Sequence, residues 1–520
     1  MRNYRVDKIN NTVIFEFKYD DEIVSKVKAC DYNARWNPEF KHWVVPINDY
    51  SKFRIKSVID QFHFQKEGVK REESIKYDYS ISLERMDELK SLCISKDFLY
   101  TPRDYQIECL DYILQRQHTI IADDVGLGKT MEAIMAAEVQ DKFPCLVVVP
   151  ASVKYNWAEK WDEITKGKRK ISIIESNKDN DWDADVVIIN YDILGKKQGT
   201  GATVRFPELK STKWNMLISD ESHMLKSKSS QRFKAFKMIS NKDISTLLLT
   251  GTPTMNKPIE LWNLLRLVYA EKVIVKDWMQ FITRYCGGYK GKFGWVTDGA
   301  TNTIELNKKL RDACYIRREK RDVLKELPNV TKQILNAPIS NMRKYKKAVD
   351  DFIKYVREYQ GEEKAEKAQE AEHLVAIGAM RKLSAEGKVK FIEQYLKDWK
   401  ELEKGKLLVF GIHKEGLAYL SKKFKCDLIA GGVSSKKKQE IVKDFQVNKD
   451  VFLFANMQSA GTGVDGLQNV CSNMVIFELP WRPSDLVQSI GRLDRSGQKE
   501  PVTITFILSE DTIDKDMWEM

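Results

Sequence analysis

The segment DDVGLGKT at residues 123–130 follows the apolar run HTIIA and precedes the helical pattern MEAIMAAE. A glycine-bearing loop between a strand and a helix aims backbone N–H groups at phosphates. In that frame Lys129 reaches the terminal phosphates and Thr130 offers a hydroxyl to magnesium. Asp123 stands where the first glycine of the full phosphate-loop pattern would be, so spacing alone leaves a chance match open. Further on, DESH at 220–223 comes directly after the strand-like run WNMLIS. Asp220 at a strand end can hold magnesium, most simply through water, and Glu221 beside it can accept a proton from an attacking water. Taken alone, an Asp–Glu pair most often reads as surface charge, and the glycine loop on a neighbouring strand pattern makes this one the expected hydrolytic pair. Near the C-terminus, QSIGRLDRSGQ at 488–498 sets Arg492 and Arg495 three apart, on one face of a helix. Reaching a nucleotide from a second lobe, they would stabilise charge on the transferring phosphoryl group. Otherwise they form a surface salt-bridge pair.

These residues need elements to hold them. From Phe98 onward, short Val/Ile/Leu runs (HTIIADD, PCLVVVP, ADVVIINY, WNMLISDE, ISTLLLTG) alternate with longer helical patterns. Continuous apolar runs of this length suit parallel strands covered on both faces, with helices as crossovers. A second set (KLLVFGI, DLIAG, VFLFAN, NMVIFELP, PVTITFIL) follows a charged, helix-prone stretch between about 341 and 399. Within that stretch, EEKAEKAQEAEH at 362–373 reads as a solvated helix face. Upstream, residues 13–19 alternate and place Val13, Phe15, Phe17 and Tyr19 on one strand face. A short helix capped by Asp20 or Asp21 follows, with Ile23, Val24 and Val27 inward, then a turn and strand in ARWNPEFKHWVVPI at 34–47. Trp36 and Trp43 in that segment read as core residues before base-stacking platforms. The expected organisation is a small α+β domain at 1–64, a connector at 65–97, a first α/β lobe at 98–330, a helical insert at 331–400 and a second lobe at 401–520.

Composition narrows the class. In 520 residues, Lys plus Arg exceeds Asp plus Glu by 86 to 75, a surplus of 11 that favours a polyanionic partner. The apolar runs fall well short of the roughly 18 residues that a membrane span needs. The N-terminus lacks a signal-peptide pattern, so a cytoplasmic location is expected. Eight cysteines with no CxxC pair, and six scattered histidines, argue for free thiols and against structural zinc. Any metal would be magnesium held by oxygen.

Together these motifs resemble a superfamily-two helicase core, in the Swi/Snf-related branch of double-stranded DNA translocases. The resemblance rests on LYTPRDYQ (99–106), LVVVPASVKYNWAEKW (146–161), VVIINYDIL (186–194), LTGTPTMNKPIELWNLL (249–265), YIRREKRDVLKELP (315–328), KLLVFGIHKEGLAYL (406–420) and ELPWRPSDLVQSIGRLDRSGQ (478–498). Two departures stand out. SAGTGVDGLQ at 459–468 replaces a pattern near AGGVGLNL, leaving Val464 and Asp465 without assigned roles while Gly461 and Gly463 fit, and Gly491 replaces a usual acidic residue. The resemblance implies two RecA-like lobes with parallel sheets and helical insertions. It implies ATP and Mg2+ as cofactors, with nucleotide contacts from Arg103, Tyr105, Gln106, Asp124, Gly126, Gly128, Lys129, Thr130, Gly463 and Gln488. Catalytic roles fall to Lys129, Asp220, Glu221, Arg492 and Arg495, and metal ligation to Thr130 and Asp220. DNA contacts fall to Lys154, Thr250, Gly251, Thr252 and Trp481, with the triple Lys436–Lys438 reading as either a phosphate patch or a solvated cluster.

Within the branch, ARWNPEFKHWVVP is similar to the HARP-type module of annealing helicases, and FGWVTDGATNTIELNKKL at 293–310 to the same subgroup. The implied activity is ATP-driven translocation on duplex or forked DNA by a monomer, applied to strand annealing or fork remodelling. A Lys-, Ile- and Asn-rich chain points to a bacterial or phage source. Two other readings fit the general motifs: an RNA-stimulated helicase of the same superfamily, and a nucleotide-gated DNA clamp that does not step.

Overall fold

The computed structural model describes residues 3–7, 12–17, 19–31, 33–37, 42–47, 51, 54–55, 58–59, 62, 65–66, 79–176, 180–199, 201–251, 257–291, 294–297, 299–350, 372–460 and 464–519. The chain divides into two compact units, residues 1–79 and 80–520.

Among its described residues, the first unit holds a five-stranded sheet, one complete helix and helical residues at 51, 54–55 and 58–59. Its strands are β1 (Asn3–Asp7), β2 (Thr12–Glu16), β3 (Arg35–Asn37), β4 (His42–Pro46) and β5 (Gln65–Lys66), in the order β3-β4-β2-β1-β5. Helix α1 (Asp21–Cys30) starts where the Asp20 carboxylate accepts from the Ile23 N–H at 3.2 Å, a side-chain cap. Ile23, Val27 and Cys30 on its inner face pack with Val13, Phe15 and Trp43 in one core. The expected alternation stops early: β2 ends at Glu16, and Tyr19 is 79% exposed. The two tryptophans also part company. Trp43 is buried and Trp36 exposed, their rings 5.8 Å apart.

The second unit carries two RecA-like lobes. In the first, β6 (His118–Ile121), β7 (Cys145–Val149), β8 (Ile171–Ile173), β9 (Val186–Asn190), β12 (Met216–Ser219), β13 (Ser245–Leu249) and β16 (Tyr315–Ile316) form one parallel sheet in the order β16-β6-β13-β12-β7-β9-β8. Two hairpins, β10 (Gly195–Gln198) with β11 (Gly201–Val204) and β14 (Tyr289–Gly291) with β15 (Gly294–Val296), stand apart from it. Strands β7, β9 and β13 are buried at every position, as their unbroken apolar runs require. The second lobe is also parallel, in the order β17-β22-β21-β18-β20-β19. Its strands are β17 (Val330–Asn336), β18 (Leu407–Gly411), β19 (Leu428–Ile429), β20 (Phe452–Asn456), β21 (Asn473–Ile476) and β22 (Val502–Leu508).

Two stretches differ from the expected boundaries. The proposed connector at 65–97 contains β5, which joins the first unit's sheet, and a helix, Leu83–Ser95, tied to the first lobe where Arg85 donates to Asp111 at 2.8 Å. The proposed insert at 331–400 opens with most of β17, which pairs along its whole length with β22. As an edge strand β17 keeps most of its side chains in solvent, so VTKQILN lacks the apolar run that marked the others. The solvated face expected at 362–373 lies almost wholly outside the described residues.

A long helix, Glu372–Glu401, is anchored to the second sheet by Lys388. Its buried ammonium donates to the carbonyls of Phe477 at 2.6 Å and Ile507 at 3.1 Å and pairs with Asp514, which also accepts from Ser384 at 3.0 Å. Removing one partner of such a pair strands the other charge. Lys388→Met is therefore expected to cost about 3–5 kcal/mol in urea unfolding of the full chain, and a loss below about 1 kcal/mol would contradict this anchoring role.

Candidate functional site

The loop 123–130 runs from the end of β6 into helix α2 (Lys129–Gln140). Gly128 is the residue before the helix and Gly126 has φ +94°, in the left-handed region. A Cβ at Gly126 would lie 2.8 Å from the Cβ of Arg495, so the loop is seated directly on the arginine segment of the second lobe. Glycine is required there twice over, by conformation and by space.

Behind the loop lies a network of buried charge. Arg318 pairs with both Asp123 and Glu132, whose side chains are fully buried, and its N–H donates to Asp123 at 2.9 Å. Burial and the Asp123 charge push Glu132 up to about 8 despite Arg318. Asp123, the residue that breaks the glycine pattern, is thus a structural acid beneath the loop. Asp124 is held by the Arg317 guanidinium at 3.2 Å and the Lys320 N–H at 3.1 Å. Its carboxylate faces the 317–320 segment, so the expected nucleotide contact from Asp124 is replaced by a bracing one. Lys320 continues across the cleft to Asp494, at 2.9 Å.

A cavity of about 460 Å³ opens in front of the loop. It falls within the size range of ligand sites, about 300–1,000 Å³. Arg103, Tyr105, Gln106, Gly126, Gly128, Lys129, Thr130, Asp220 and Glu221 line it from the first lobe, and Asp465, Arg492 and Arg495 from the second. The Lys129 ammonium donates to the carbonyls of Asp123 at 2.6 Å and Asp124 at 3.1 Å. Tyr105 and the Gln106 amide both donate to the Leu127 carbonyl, at 2.9 Å and 3.3 Å, so this segment braces the loop from its far end. Arg103 pairs with Glu326 and donates to Ser496 of the second lobe at 3.0 Å.

The acidic pair sits at the end of β12. Asp220 accepts from the Trp157 indole at 2.8 Å and from the Glu221 N–H at 2.9 Å. Burial and the Glu221 charge raise its pKa to about 6, with Trp157 and Lys129 opposing. Glu221 has φ 49°, a left-handed conformation that a non-glycine residue holds at a cost. Burial disfavours its charge, yet His223, Lys129 and Arg492 together keep it below the usual carboxylate range. His223 lies 3.2 Å from Glu221 Oε2, and Gln488 reaches Glu221 Oε1 from the second lobe at 3.4 Å. Asp220 and Thr130 present hard oxygens to one cavity, and a carboxylate has lone pairs beyond the two hydrogen bonds seen. They fit magnesium shared with a nucleotide and held partly through water. Among the described residues no cluster of three or more His, Cys, Asp or Glu side chains would hold a metal unaided.

On the opposite wall, Arg492 donates to the Val464 carbonyl at 2.7 Å and Arg495 pairs with Asp465 at 2.9 Å. Burial and Arg495 pull Arg492 down to about 10, against Asp465, Glu221 and Asp220, so it stays charged at neutral pH. The unassigned Val464 and Asp465 therefore position the two arginines. Gly461, Gly463 and Thr252 lie outside the described residues.

Three expected DNA contacts are placed elsewhere. Lys154 is buried, its ammonium donating to the Ile174 carbonyl at 3.0 Å. Thr250 is fully buried, and a Cβ at Gly251 would meet Val125 at 2.8 Å and the Lys129 Nζ at 3.5 Å, so this segment packs on the phosphate loop. Trp481 is 53% exposed, with Arg381 6.0 Å from its ring. Of the lysine triple, Lys438 is buried on the Ser459 carbonyl at 2.8 Å and Lys437 pairs with Glu440. Sequence reasoning missed Trp157, which the spacing to Trp161 marks only as a core face, and Arg318, whose partners lie far away in the chain.

Gly491 has its own explanation. A Cβ there would lie 2.8 Å from Val125 Cγ1, on the tip of the phosphate loop. Gly491→Ala is expected to lower nucleotide turnover about tenfold, near 1.4 kcal/mol of barrier, by holding the lobes apart. Steady-state turnover with a thermal-unfolding control checks this, and unchanged turnover would contradict it.

Residues 105–388 match the SNF2-related domain and residues 387–497 the helicase conserved C-terminal domain. The chain is 30% identical over 428 residues to the SWI/SNF-related matrix-associated actin-dependent regulator of chromatin subfamily A-like protein 1 of Xenopus tropicalis, spanning 80% of this chain and 43% of that protein. It is 29% identical over 437 residues to the human DNA annealing helicase and endonuclease ZRANB3, spanning 80% of this chain and 39% of that one. It thus spans about two fifths of the length of these relatives. The Sulfolobus solfataricus SWI2/SNF2 ATPase core in complex with dsDNA aligns at 19% identity and a TM-score of 0.38, over 81% of this chain and 91% of that chain. No described helix is long and apolar enough to cross a membrane. With the SNF2-related domain matched over more than half its length, the chain belongs to the SNF2-related family and is an ATP-hydrolysing enzyme.

Proposed function

We propose that the chain is an ATP-driven translocase on duplex DNA that anneals strands or remodels forks in repair, replication or recombination. One observation carries the hydrolytic part: Lys129, Asp220 and Glu221 of the first lobe and Arg492 and Arg495 of the second line one cavity. In this reading Lys129 leaves the Asp123 and Asp124 carbonyls to hold the terminal phosphates. Glu221 orients the attacking water and takes its proton. Arg492 and Arg495 stabilise charge building on the phosphoryl oxygens. Magnesium, when bound near Thr130 and Asp220, supplies positive charge to the phosphates.

Translocation follows from the two walls. A nucleotide gripped by both lobes favours closure and its products do not, so each lobe's hold on a strand alternates through the cycle. Likeness to an annealing helicase supports strand annealing as the work done, and the net charge supports binding to backbone phosphates without sequence preference. Residues 1–64 serve as a HARP-like module that directs the motor to forks, with the exposed Trp36 available to a base.

ATPase rates measured in parallel with duplex, forked and single-stranded DNA and with RNA test the reading. Stimulation is expected to be greatest with duplex or forked DNA and at least about tenfold lower in 0.2 M than in 0.05 M salt, because phosphate contacts release counterions. Lys129→Ala should abolish turnover with the fold intact. Stimulation by RNA alone would replace the DNA motor with an RNA helicase, and displacement of no third strand from a triplex would replace it with a clamp.

A further inference from the structure

Lys320 is held by both walls of the nucleotide cleft. It follows β16 closely and opens a single helical turn, Lys320–Val323. Its backbone N–H donates to Asp124 Oδ2 at 3.1 Å, while the Arg317 guanidinium holds Asp124 Oδ1 at 3.2 Å. The Asp124 N–H in turn donates to the Arg318 carbonyl at 3.1 Å. Three contacts thus tie residues 317–320 to Asp124, whose own carbonyl accepts from the Lys129 ammonium at 3.1 Å.

The side chain reaches the other way. Its ammonium donates to Asp494 Oδ2 at 2.9 Å and also to the Asp494 carbonyl. That carbonyl lies 3.5 Å from where a Cβ on Gly126 would be, so the ammonium is seated where the phosphate loop meets the arginine segment. Lys320 is buried there, and burial pulls its pKa down while the Asp494 carboxylate opposes. A buried ammonium needs such a partner, whereas opening the cleft would return it to water. The contact with Asp494 therefore belongs to the closed arrangement of the lobes.

We propose that Lys320 is a positioning residue for ATP cleavage, which fixes the Arg492–Arg495 segment against the phosphate loop and carries movement of the loop to the second lobe. The links run from Lys129 to the Asp124 carbonyl, from Asp124 to Lys320, and from Lys320 to Asp494, the neighbour of Arg495. When Lys129 leaves that carbonyl for a phosphate, the first link changes and the others pass the change across the cleft. Lys320 is not among the residues that line the nucleotide cavity, so it acts through Asp494 and not on the phosphates. The role rests on the reading of Arg492 and Arg495 given above.

Two measurements on the full chain with duplex DNA test it. Single-turnover ATP cleavage is expected to be about tenfold slower in Lys320→Met, with ATP affinity within about twofold, because a misplaced charge costs rate before it costs binding. Asp494→Asn should slow cleavage about threefold, since its carbonyl still accepts from the ammonium. Adding it to Lys320→Met should slow cleavage no further, because the two side chains act as one unit. Thermal unfolding controls for the fold, and should Lys320→Met not fold, Asp494→Asn carries the test, its side chain being partly open to solvent. Hydrogen–deuterium exchange with the β,γ-imido analogue of ATP is the second measurement. The unaltered chain should gain protection in both 123–130 and 488–498, and Lys320→Met only in 123–130. Cleavage at the unaltered rate in either variant would overturn the proposal, as would a fall in affinity that matches the fall in cleavage. So would effects of the two substitutions that multiply, or equal protection of both segments in Lys320→Met. Failure of the arginine reading shows separately, as cleavage at the unaltered rate in Arg492→Ala.

Discussion

The close approach of the phosphate loop to the arginine segment of the other lobe is the contact on which the rest of the site depends. Gly126 has room for no Cβ against Arg495, and Gly491 for none against Val125. These two points seat the Gly126 backbone on Arg495 and the Gly491 backbone on the Val125 side chain across the cleft. Arg492 and Arg495 can then line the same cavity as Lys129 although the chain between them builds most of two sheets. Around them, Lys320 to Asp494, Arg103 to Ser496 and Gln488 to Glu221 span the same interface with polar contacts. Polar contacts of this kind break and re-form at little cost, as repeated opening and closing requires.

Buried charge explains the second feature of the site. Asp220, Glu221 and Arg492 are half-buried in the cavity wall, where an unpaired charge is expensive. Each is partly compensated: Asp220 by the Trp157 indole, Glu221 by His223 and Lys129, Arg492 by the Val464 carbonyl. The compensation is incomplete for Arg492, lowered to about 10, and for Asp220, raised to about 6, whereas Glu221 is held below the usual carboxylate range. Charges in such surroundings interact strongly with a polyphosphate that enters between them.

What the sequence made legible depended on how local the determinant was. The phosphate loop, the DESH element and the apolar strands are contiguous, and each appeared where its residues pointed. Edge strand β17 escaped because exposure removes the apolar pattern that betrays a strand. The role of Asp123 could not be read because its partner Arg318 lies in a distant segment, and Lys154 looked like a phosphate contact because nothing in its neighbours announces the Ile174 carbonyl that buries it. Gly491 looked like a lost acid and is a seat for Val125. Pairings over long separations need the fold before they acquire meaning.

The central claim is that the second lobe completes the hydrolytic site on the first. Single-turnover ATP cleavage by Arg492→Ala in the presence of duplex DNA tests it most directly, with ATP affinity measured beside it. The account predicts cleavage slower by about 10³-fold or more, as for other arginines that meet a phosphoryl group in its transition state, with affinity changed only a few-fold. Cleavage at the unaltered rate would show that the first lobe works alone and would contradict it.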